Sequence, residues 1–169
     1  MPEDGPAIAR VQVTSWRETY AGMVPQDYLD ALDAAERGPK WTERIAVPAA
    51  VALVAEDEAG VFGFAAGGPV LHPVDGFDGE LVGLYVLAQH HRRGVGRALM
   101  REFAARMVSE GYRSLVIWAL RENPACGFYQ RMGGMRVAEQ TIEISGKTLP
   151  EVAFGWADIL VLCAEVADR

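Results

Sequence analysis

The segment HHRRGVGRALM, residues 90–100, places positive charge and glycine together where helical periodicity begins. Arg92 and Arg93 stand directly before Gly94 and Gly96. The first N–H groups of a helix have no internal acceptor and lie at the positive end of its dipole. Glycine lets the backbone approach a ligand closely, and arginine adds charge-assisted hydrogen bonds. These residue types in this order predict a phosphate-binding turn.

Two other interpretations of this turn stay open on the residues alone. Gly94 and Gly96 could form a tight turn flanked by solvated arginines, with no ligand. A dinucleotide-binding turn of the form G-x-G-x-x-G requires a third glycine, but Leu99 occupies that position. The motif also lies mid-chain, without the surroundings expected of a dinucleotide-binding domain. A dinucleotide-dependent oxidoreductase is therefore the weakest of the three interpretations.

The overall composition limits which partners the turn can serve. The chain of 169 residues is 50% hydrophobic and carries a formal net charge of −7, which is typical of a globular protein with a sizeable core. Nucleic-acid affinity comes largely from Lys and Arg, so an acidic chain is a poor general binder. Cys126 and Cys163 lack disulfide or zinc spacing, and we expect reduced thiols and no metal site. Because neither a signal peptide nor a membrane-spanning run is visible, we expect a cytoplasmic protein without a membrane partner.

The elements around the turn follow a mixed α/β order within one predicted domain, residues 1–169. Amphipathic spacing predicts a first helix from about Pro6 to Gly22, and then one or two short helices interrupted at Gly38-Pro39. Apolar runs and turn residues predict the later elements. They are a hairpin of Val51–Ala55 and Val61–Ala66, a buried strand over ELVGLYVL, a helix over Gly96–Glu110, a strand over YRSLVIWAL, a short helix over NPACGFYQRMGG, a hairpin around Ser145-Gly146 and a terminal helix over ADILVLCAEVADR.

Two motifs in this order resemble the GNAT superfamily of N-acetyltransferases. LYVLAQHHRRGVGRALM is similar to the family's strand, cofactor loop and helix, whose pattern is Gln or Arg, two residues, Gly, one residue, then Gly or Ala. His91 occupies the first place and departs from that pattern, while the other places match. NPACGFYQRMGGMRV is similar to a later family segment with Asn, a short helix carrying Phe-Tyr, and a Gly turn into a strand. The resemblance covers roughly residues 50 to 156, and SWRETYAGMVPQDYL also resembles a bacterial subgroup that includes polyamine-type acetyltransferases.

The resemblance implies a mixed, largely antiparallel central sheet with a central strand–helix–strand crossover and flanking helices. It implies transfer of an acetyl group from acetyl-CoA to an amine acceptor, a small amine or a protein or peptide amine, by direct attack in a ternary complex. The implied cofactor contacts are Tyr85, Val86, Arg92, Arg93, Gly94, Val95, Gly96, Arg97, Ala98 and Asn123. A non-catalytic acyl-CoA-binding or interaction domain is the alternative, and a homodimer is one possible assembly, since dimers are common in the family.

The same resemblance implies two catalytic residues. Tyr129 corresponds to the tyrosine that protonates the departing CoA sulfur, and a tyrosine packed in the core is the alternative. Glu80 opens the buried strand, on the alternating face of Val86, where some family members carry a glutamate base. A solvated carboxylate at the strand end is the alternative for Glu80. A backbone N–H near Tyr85–Val86 would stabilise the oxyanion.

The remaining candidates concern the acceptor pocket, which the first two helices and the loop Pro69–Gly79 would line. The candidates are Trp16, Arg17, Tyr20, Tyr28 and Trp41, although core packing or a helix surface is the favoured interpretation of any single one. The acidic side chains of Asp75, Asp78 and Glu80 near the site would favour a cationic amine. His72, His90 and His91 could titrate near neutral pH, but the last two lie on the cofactor loop. Asn123 has two compatible interpretations, a helix N-cap by propensity and a pantetheine contact by resemblance.

The start of the chain departs from the family pattern. Family members usually open with a short β-strand, whereas the first helix here begins by about Pro6 and leaves almost no room for one. We therefore expect a sheet edge that is either exposed or covered by a partner.

Overall fold

Helices flank a six-stranded sheet in the computed structural model, which describes residues 1–164. None of its helices is long and apolar enough to cross a membrane, within those residues. The elements in chain order are a 3-10 turn (Pro2–Asp4), α1 (Gly5–Thr19), α2 (Gln26–Ala31), α3 (Ala34–Ile45), β1 (Val51–Asp57), β2 (Gly60–Pro69), β3 (Gly79–Val86), a second 3-10 turn (Ala88–His90), α4 (Val95–Ser109), β4 (Leu115–Leu120), α5 (Ala125–Arg131), β5 (Met135–Ile144), β6 (Lys147–Trp156) and α6 (Leu160–Cys163).

The sheet has the strand order β1-β2-β3-β4-β6-β5. Neighbouring strands run antiparallel except β3 and β4, which are parallel and joined by α4. The predicted mixed, largely antiparallel sheet with a central crossover is therefore confirmed. No strand precedes α1 in the described part of the chain, and β1 forms one edge of the sheet, as the sequence led us to expect.

The parallel strands β3 and β4 separate almost as soon as they meet. They pair only at Gly79 with Leu115 and at Glu80 with Val116, although β4 pairs with β6 along its whole length. Beyond Glu80 the two facing edges carry backbone groups that no neighbouring strand satisfies. We call this opening the β3–β4 gap.

Helices cover the sheet on both faces. On one face, α4 contributes Phe103 and Met107 to a core that includes Leu81, Ile117 and Phe154, all of them at most 3% exposed. On the other face, α1 and α3 pack through apolar residues such as Ile8 and Trp41 against Phe64 and Ala66 of β2. We call these the α4 face and the α1 face.

A bulge in β3 divides its side chains between the two faces. The pairing of β2 with β3 skips Val82, so the alternation of side chains changes phase there. Leu81 and Val86 consequently both pack on the α4 face. Glu80 alternates with Leu81 and points to the α1 face, where Tyr85 also packs. The sequence-based placement of Glu80 on the face of Val86 is therefore wrong, because simple alternation does not anticipate a bulge.

The predicted break at Gly38-Pro39 is also wrong, since both residues lie inside α3. Gly38 is buried against α1, and the Cα of Pro6 lies 3.4 Å from the position that a Cβ on Gly38 would occupy. The glycine thus allows the two helices to approach closely instead of ending one of them. The break lies earlier, at Asp33, whose side chain accepts a 2.7 Å hydrogen bond from the N–H of Ala35 and caps α3.

The helix predicted over residues 157–169 is shorter than expected. It ends at Cys163 because Ala164 is extended, with ψ 136°. Ile159 and Leu162 are buried in the core of the α4 face, while Leu160 and Val161 are more than half exposed. Residues 165–169 of the predicted helix lie outside the described residues.

Replacement of Gly67 by alanine should destabilise the sheet beside the bulge. The new Cβ would overlap the backbone oxygen of Glu80 and lie 2.9 Å from Cζ of Phe103. Overpacking of this kind costs about 1–3 kcal/mol of the free energy of unfolding, measurable by urea denaturation. Gly127→Ala in α5 is the control, because its Cβ would meet only the flexible end of the Arg131 side chain, at 3.3 Å. An equal loss in both variants would contradict the tight packing described at Gly67.

Candidate active site

The turn that leads into α4 presents a row of unsatisfied backbone donors. Arg92 and Gly94 both adopt positive φ, 60° and 81°, and Gly94 is the N-cap of α4. The first helical bond across this cap runs from the N–H of Ala98 to the carbonyl of Gly94, at 3.0 Å. The five N–H groups of residues 92–96 have no acceptor among the described residues. Such a run of N–H groups at a helix N-terminus forms an anion-binding concavity.

Two histidines fasten this turn to the sheet. The ring of His90 stacks on Phe62, with 3.9 Å between the centroids, and its Nε2 lies 4.0 Å from a carboxylate oxygen of Asp57. His91 Nε2 lies 2.7 Å from the carbonyl oxygen of Val86, where a protonated Nε2 donates. The departure from the family pattern at His91 therefore supplies a structural tether to the backbone of β3.

The other predicted cofactor residues lie on the open side of this turn. Arg92, Arg93, Arg97 and Ala98 are exposed, while Val95 and Gly96 are half-buried. Nothing lies within 4 Å of a Cβ placed on Gly94, whereas a Cβ on Gly96 would make an ordinary 3.8 Å contact with Phe128. A glycine is thus favoured at position 94 because the backbone there is left-handed, whereas an alanine would fit at position 96.

The edge of β3 adds backbone donors to the gap. The N–H of Leu87 donates to the carbonyl of Phe62 on β2, at 2.9 Å. Because N–H directions alternate along a strand, the N–H of Tyr85 also points to β2, and those of Val86 and Leu84 point into the gap. Of the two predicted residues, only Val86 presents its backbone there. The sequence analysis missed Leu84, although the alternation of N–H directions along a strand places its N–H on the same side as that of Val86.

Aromatic side chains border the gap on the α1 face. Trp16 Nε1 donates a 2.9 Å hydrogen bond to the hydroxyl of Tyr85. The ring of Trp16 also contacts Tyr20, at 4.8 Å between centroids, and Tyr28, at 6.1 Å. Burial is the main cause that raises the pKa of Tyr20 and of Tyr85, so both hydroxyls stay protonated. Three of the predicted acceptor residues and Tyr85 therefore form one connected wall.

Asn123 connects this wall to α5. Its Oδ1 accepts a 2.8 Å hydrogen bond from the N–H of Ala125, and its Nδ2 donates a 2.9 Å hydrogen bond to the hydroxyl of Tyr20. The side chain thus satisfies an orphan N–H at the start of the helix, in agreement with the predicted cap. The amide keeps a second N–H and a second lone pair, so a pantetheine contact is compatible with both of these bonds.

Tyr129 approaches the gap from the α4 face. Its ring is buried against Phe154 and Trp156, and the residue is 4% exposed. Burial is the largest cause that raises its pKa above the ordinary value, followed by the nearby Tyr85. The hydroxyl has no hydrogen-bond partner among residues 1–164, and only Ser15 has an unpartnered side-chain oxygen that is sealed from solvent. The Tyr129 hydroxyl is therefore protonated, unpaired and in contact with accessible space.

Glu80 lies at the closed end of the gap and is only 2% exposed. One carboxylate oxygen accepts hydrogen bonds from the N–H groups of Leu71 and His72, each at 2.8 Å. The other oxygen is 2.8 Å from Nδ1 of His72. The solvated carboxylate that the sequence left open is thus excluded, and Glu80 is bound by the loop between β2 and β3.

Asp78 is used for a different purpose from the one that the sequence suggested. Its carboxylate accepts hydrogen bonds from the N–H of Arg113 at 3.0 Å, and from the N–H and hydroxyl of Ser114 at 2.9 and 2.8 Å. Burial acts to raise its pKa, but these hydrogen bonds outweigh it and hold the pKa below the usual range. Asp78 therefore clamps the start of β3 to the start of β4, while Asp75 is exposed on the loop.

Two predicted acceptor residues have structural partners instead. Arg17 donates from Nε to the carbonyl of Leu29 at 3.1 Å and from Nη2 to that of Leu32 at 2.7 Å, which holds the end of α2. Trp41 is 5% exposed, and its Nε1 donates to Gln12 at 2.9 Å. Neither side chain is available to a ligand in the gap.

Two charged residues that the sequence analysis missed act on Tyr85. Arg37 of α3 favours the ionised form of Tyr85 and Glu151 of β6 opposes it, although burial of Tyr85 outweighs both. The guanidinium of Arg37 also lies 6.0 Å from the centroid of the Trp16 ring. No local pattern marks these residues, because only the folding of α3 and β6 brings them to the same wall.

Comparisons with known proteins show the family of the chain. The model of the Acetyltransferase (GNAT) family matches residues 12–134. An uncharacterized N-acetyltransferase named YuaI, from Bacillus subtilis (strain 168), is 42% identical over 161 residues, which is 95% of this chain and 91% of YuaI.

Solved structures share the fold at low sequence identity. YncA from Salmonella typhimurium, solved with its cofactor acetyl-CoA, gives a TM-score of 0.71 at 20% identity, covering 100% of this chain and 94% of that one. PaiA N-acetyltransferase from Thermoplasma acidophilum, solved in complex with coenzyme A, gives 0.64 at 18% identity, covering 89% and 92%. The matched family range includes the aromatic wall, the glycine turn and Tyr129. The chain belongs to the GNAT family of acetyltransferases.

Proposed function

We propose that the protein transfers the acetyl group of acetyl-CoA to an amine, which attacks the thioester directly while both substrates occupy the β3–β4 gap. As a GNAT acetyltransferase the protein is an acetyl-CoA-dependent N-acetyltransferase, and the proposal concerns how its residues act. The observation that carries it is the run of five unsatisfied N–H groups, residues 92–96, beside an open strand edge.

The donor is held at two places in this proposal. Its phosphates accept hydrogen bonds from the N–H groups of residues 92–96, and the exposed Arg92 and Arg93 add positive charge. Its amide-bearing arm then lies along the edge of β3, where unpaired backbone groups offer partners. The N–H of either Val86 or Leu84 reaches the thioester carbonyl and stabilises the oxyanion that forms on attack. The other N–H, about 7 Å away along the strand, is left for the amide-bearing arm.

The acceptor amine must lose a proton before it can attack. An alkylammonium with a pKa near 10 lies about 3 units above neutral pH, so deprotonation costs roughly 4 kcal/mol. Trp16, Tyr20 and Tyr85 of the aromatic wall border the acceptor on the α1 face. Glu80 is the buried carboxylate on that same face, and we assign the deprotonation to its site. The anionic Glu80 and Glu151 favour a cationic amine.

Tyr129 supplies the proton to the departing thiolate. Burial raises its pKa, so the phenol holds its proton throughout the physiological range. Its hydroxyl has no competing partner among the described residues. A domain that only bound acyl-CoA would need the glycine turn but neither an unpaired phenol nor a buried carboxylate, and we therefore favour the enzyme. A homodimer, a cytoplasmic location and the polyamine-type subgroup remain predictions.

Thiol release from acetyl-CoA should occur in the presence of one class of amine. The measurement is the rate of free-thiol formation across polyamines, aminoglycosides, amino acids and peptides, with acceptor-free hydrolysis as the control. We expect amines that are cationic at neutral pH to give the highest kcat/KM, because carboxylates face the acceptor side. Higher kcat/KM for charge-neutral amines would contradict this preference. No release with any amine, in protein shown to bind acetyl-CoA, would favour the binding domain.

Gly94→Ala should weaken donor binding, while Gly96→Ala should not. Gly94 adopts φ 81°, and a left-handed conformation costs an alanine about 1–2 kcal/mol. We expect the free turn of the variant to relax out of this conformation, so that binding must restore it, which raises Kd by roughly 5- to 30-fold. Gly96 is the matched control, since its Cβ would only touch Phe128 at 3.8 Å. Isothermal titration with coenzyme A measures the Kd of each variant. Equal Kd values would contradict the assignment of this turn to the donor-binding site.

Tyr129→Phe should lower turnover by roughly 100-fold, a typical contribution of general acid catalysis, and leave the Kd for coenzyme A unchanged. The ring packing against Phe154 and Trp156 is preserved, so the loss would come from the hydroxyl. Tyr112→Phe is the control. Tyr112 lies on the connection that follows α4, and its hydroxyl donates to the carbonyl of Ala49 at 3.4 Å. Unchanged kcat in Tyr129→Phe would rule out its role as the acid.

A further inference from the structure

The carboxylate of Glu80 has little capacity left to take a proton from a substrate. An ionised carboxylate offers about four acceptor positions, and three of them are occupied by the N–H groups of Leu71 and His72 and by the imidazole of His72, each at 2.8 Å. Glu80 is also 2% exposed, so an acceptor amine could reach it only by displacing the loop. The proton acceptor must therefore lie between Glu80 and the substrate.

His72 occupies that position. Its side chain is 60% exposed, although its Nδ1 is held by Glu80. Because an ionised carboxylate can only accept, Nδ1 is the protonated nitrogen and the lone pair of the neutral ring lies on Nε2. Nε2 makes no hydrogen bond to any of the described residues. The ring is thus held in the tautomer of a base, with its basic nitrogen open to solvent.

The loop places this ring at the closed end of the β3–β4 gap. The indole nitrogen of Trp118 lies 3.5 Å from the carbonyl oxygen of His72, and Trp118 alternates with core residues of the α4 face, so it points to the α1 face. Glu80 reaches His72 from β3 and Trp118 reaches it from β4, on the face that carries Tyr85. His72 therefore lies where the two strands part, on the acceptor side.

We propose that Nε2 of His72 accepts the proton of the acceptor ammonium, and that Glu80 is a positioning residue that orients the ring and balances the imidazolium. This inference rests on the proposed acetyltransferase function and refines its base. Glu80 is the charged group that contacts His72 from β3, and Trp118 from β4 carries no charge. No other charged side chain in the described part of the chain forms an ion pair or hydrogen bond with this ring.

The protons balance in this sequence. An N–H bond of the ammonium breaks and its proton moves to Nε2 of His72. The neutral amine forms a bond to the carbonyl carbon, the C–S bond of the tetrahedral intermediate breaks, and the thiolate takes the proton of the Tyr129 hydroxyl. The second proton of the attacking nitrogen restores Tyr129 through water, and His72 releases its proton to solvent. Each turnover gives one amide, one thiol and one proton.

The test compares His72→Ala and His72→Gln with the intact chain, using acetyl-CoA and the best amine found. Both variants should lose about 100-fold or more in kcat, as expected for removal of a general base, with the Kd for coenzyme A unchanged. Glutamine can still donate to Glu80, so it separates the base from its loop contact. The acid limb of the kcat/KM profile, which reports the base of the free enzyme, should disappear in both variants. Added imidazole should restore activity to His72→Ala in proportion to its concentration.

Glu80→Gln provides the second arm through a double-mutant cycle. If Glu80 acts through the ring, adding Glu80→Gln to His72→Ala should lower kcat by less than a further factor of about three, because the effects of residues that act as a unit are not additive. Leu160→Ala is the control, since it removes an exposed side chain on α6 that belongs to neither the loop nor the gap. The kcat of this variant should stay within about twofold of that of the intact chain, as expected for a surface substitution.

Three results would overturn the inference. The first is a kcat of His72→Ala within threefold of the intact chain. The second is a loss of kcat in His72→Ala that imidazole does not restore, together with an acid limb that persists in its kcat/KM profile. The third is a Glu80→Gln substitution that lowers kcat as much in the His72→Ala background as in the intact chain. The last result would make Glu80 itself the base. Thiol release by the intact chain is measured first, so that failure of the acetyltransferase function is distinguished from failure of the role of His72.

Discussion

The parting of β3 and β4 after two residue pairs is the constraint on which the site depends. Strand edges inside a sheet leave N–H and C=O groups that need partners, and here those groups line a gap instead of a ladder. Asp78 clamps one end of the gap through its hydrogen bonds to Arg113 and Ser114. At the other end, the turn before α4 supplies the anion site. The donor can therefore be bound largely by backbone, with few dedicated side chains.

The bulge at Val82 gives the two faces of the gap different chemistry. Without the skipped residue, Glu80 would point toward α4 together with Val86, on the face opposite to Tyr85. With it, Glu80 and Tyr85 share the α1 face, while Tyr129 reaches the gap from the α4 face. In the proposed mechanism the acid and the base therefore act from opposite faces of the gap without contacting each other.

The parts of the fold that could be predicted from sequence are those set by local interactions. The glycine turn, the amphipathic α4, both hairpins and the cap at Asn123 follow from periodicity, turn residues and helix-end preferences within a few residues. The bulge at Val82 could not be predicted, because it exists only in the pairing of two strands. For the same reason the sequence showed neither the occupation of Glu80 by the next loop nor the approach of Arg37 and Glu151 to Tyr85. Gly38 misled because its close packing against α1 outweighs its ordinary tendency to end a helix.

The narrow junction between β3 and β4 also divides the molecule mechanically. Three strands lie on each side of it, and the core beneath α4 and the clamp at Asp78 are the main links between the halves. Segments joined by few backbone bonds open at lower free energy than the rest of a fold. A ligand that spans the gap bridges both halves and adds stability in proportion to the logarithm of its concentration. In the proposed function the concentration of acetyl donor would then govern the stability of the folded chain as well as its rate of turnover.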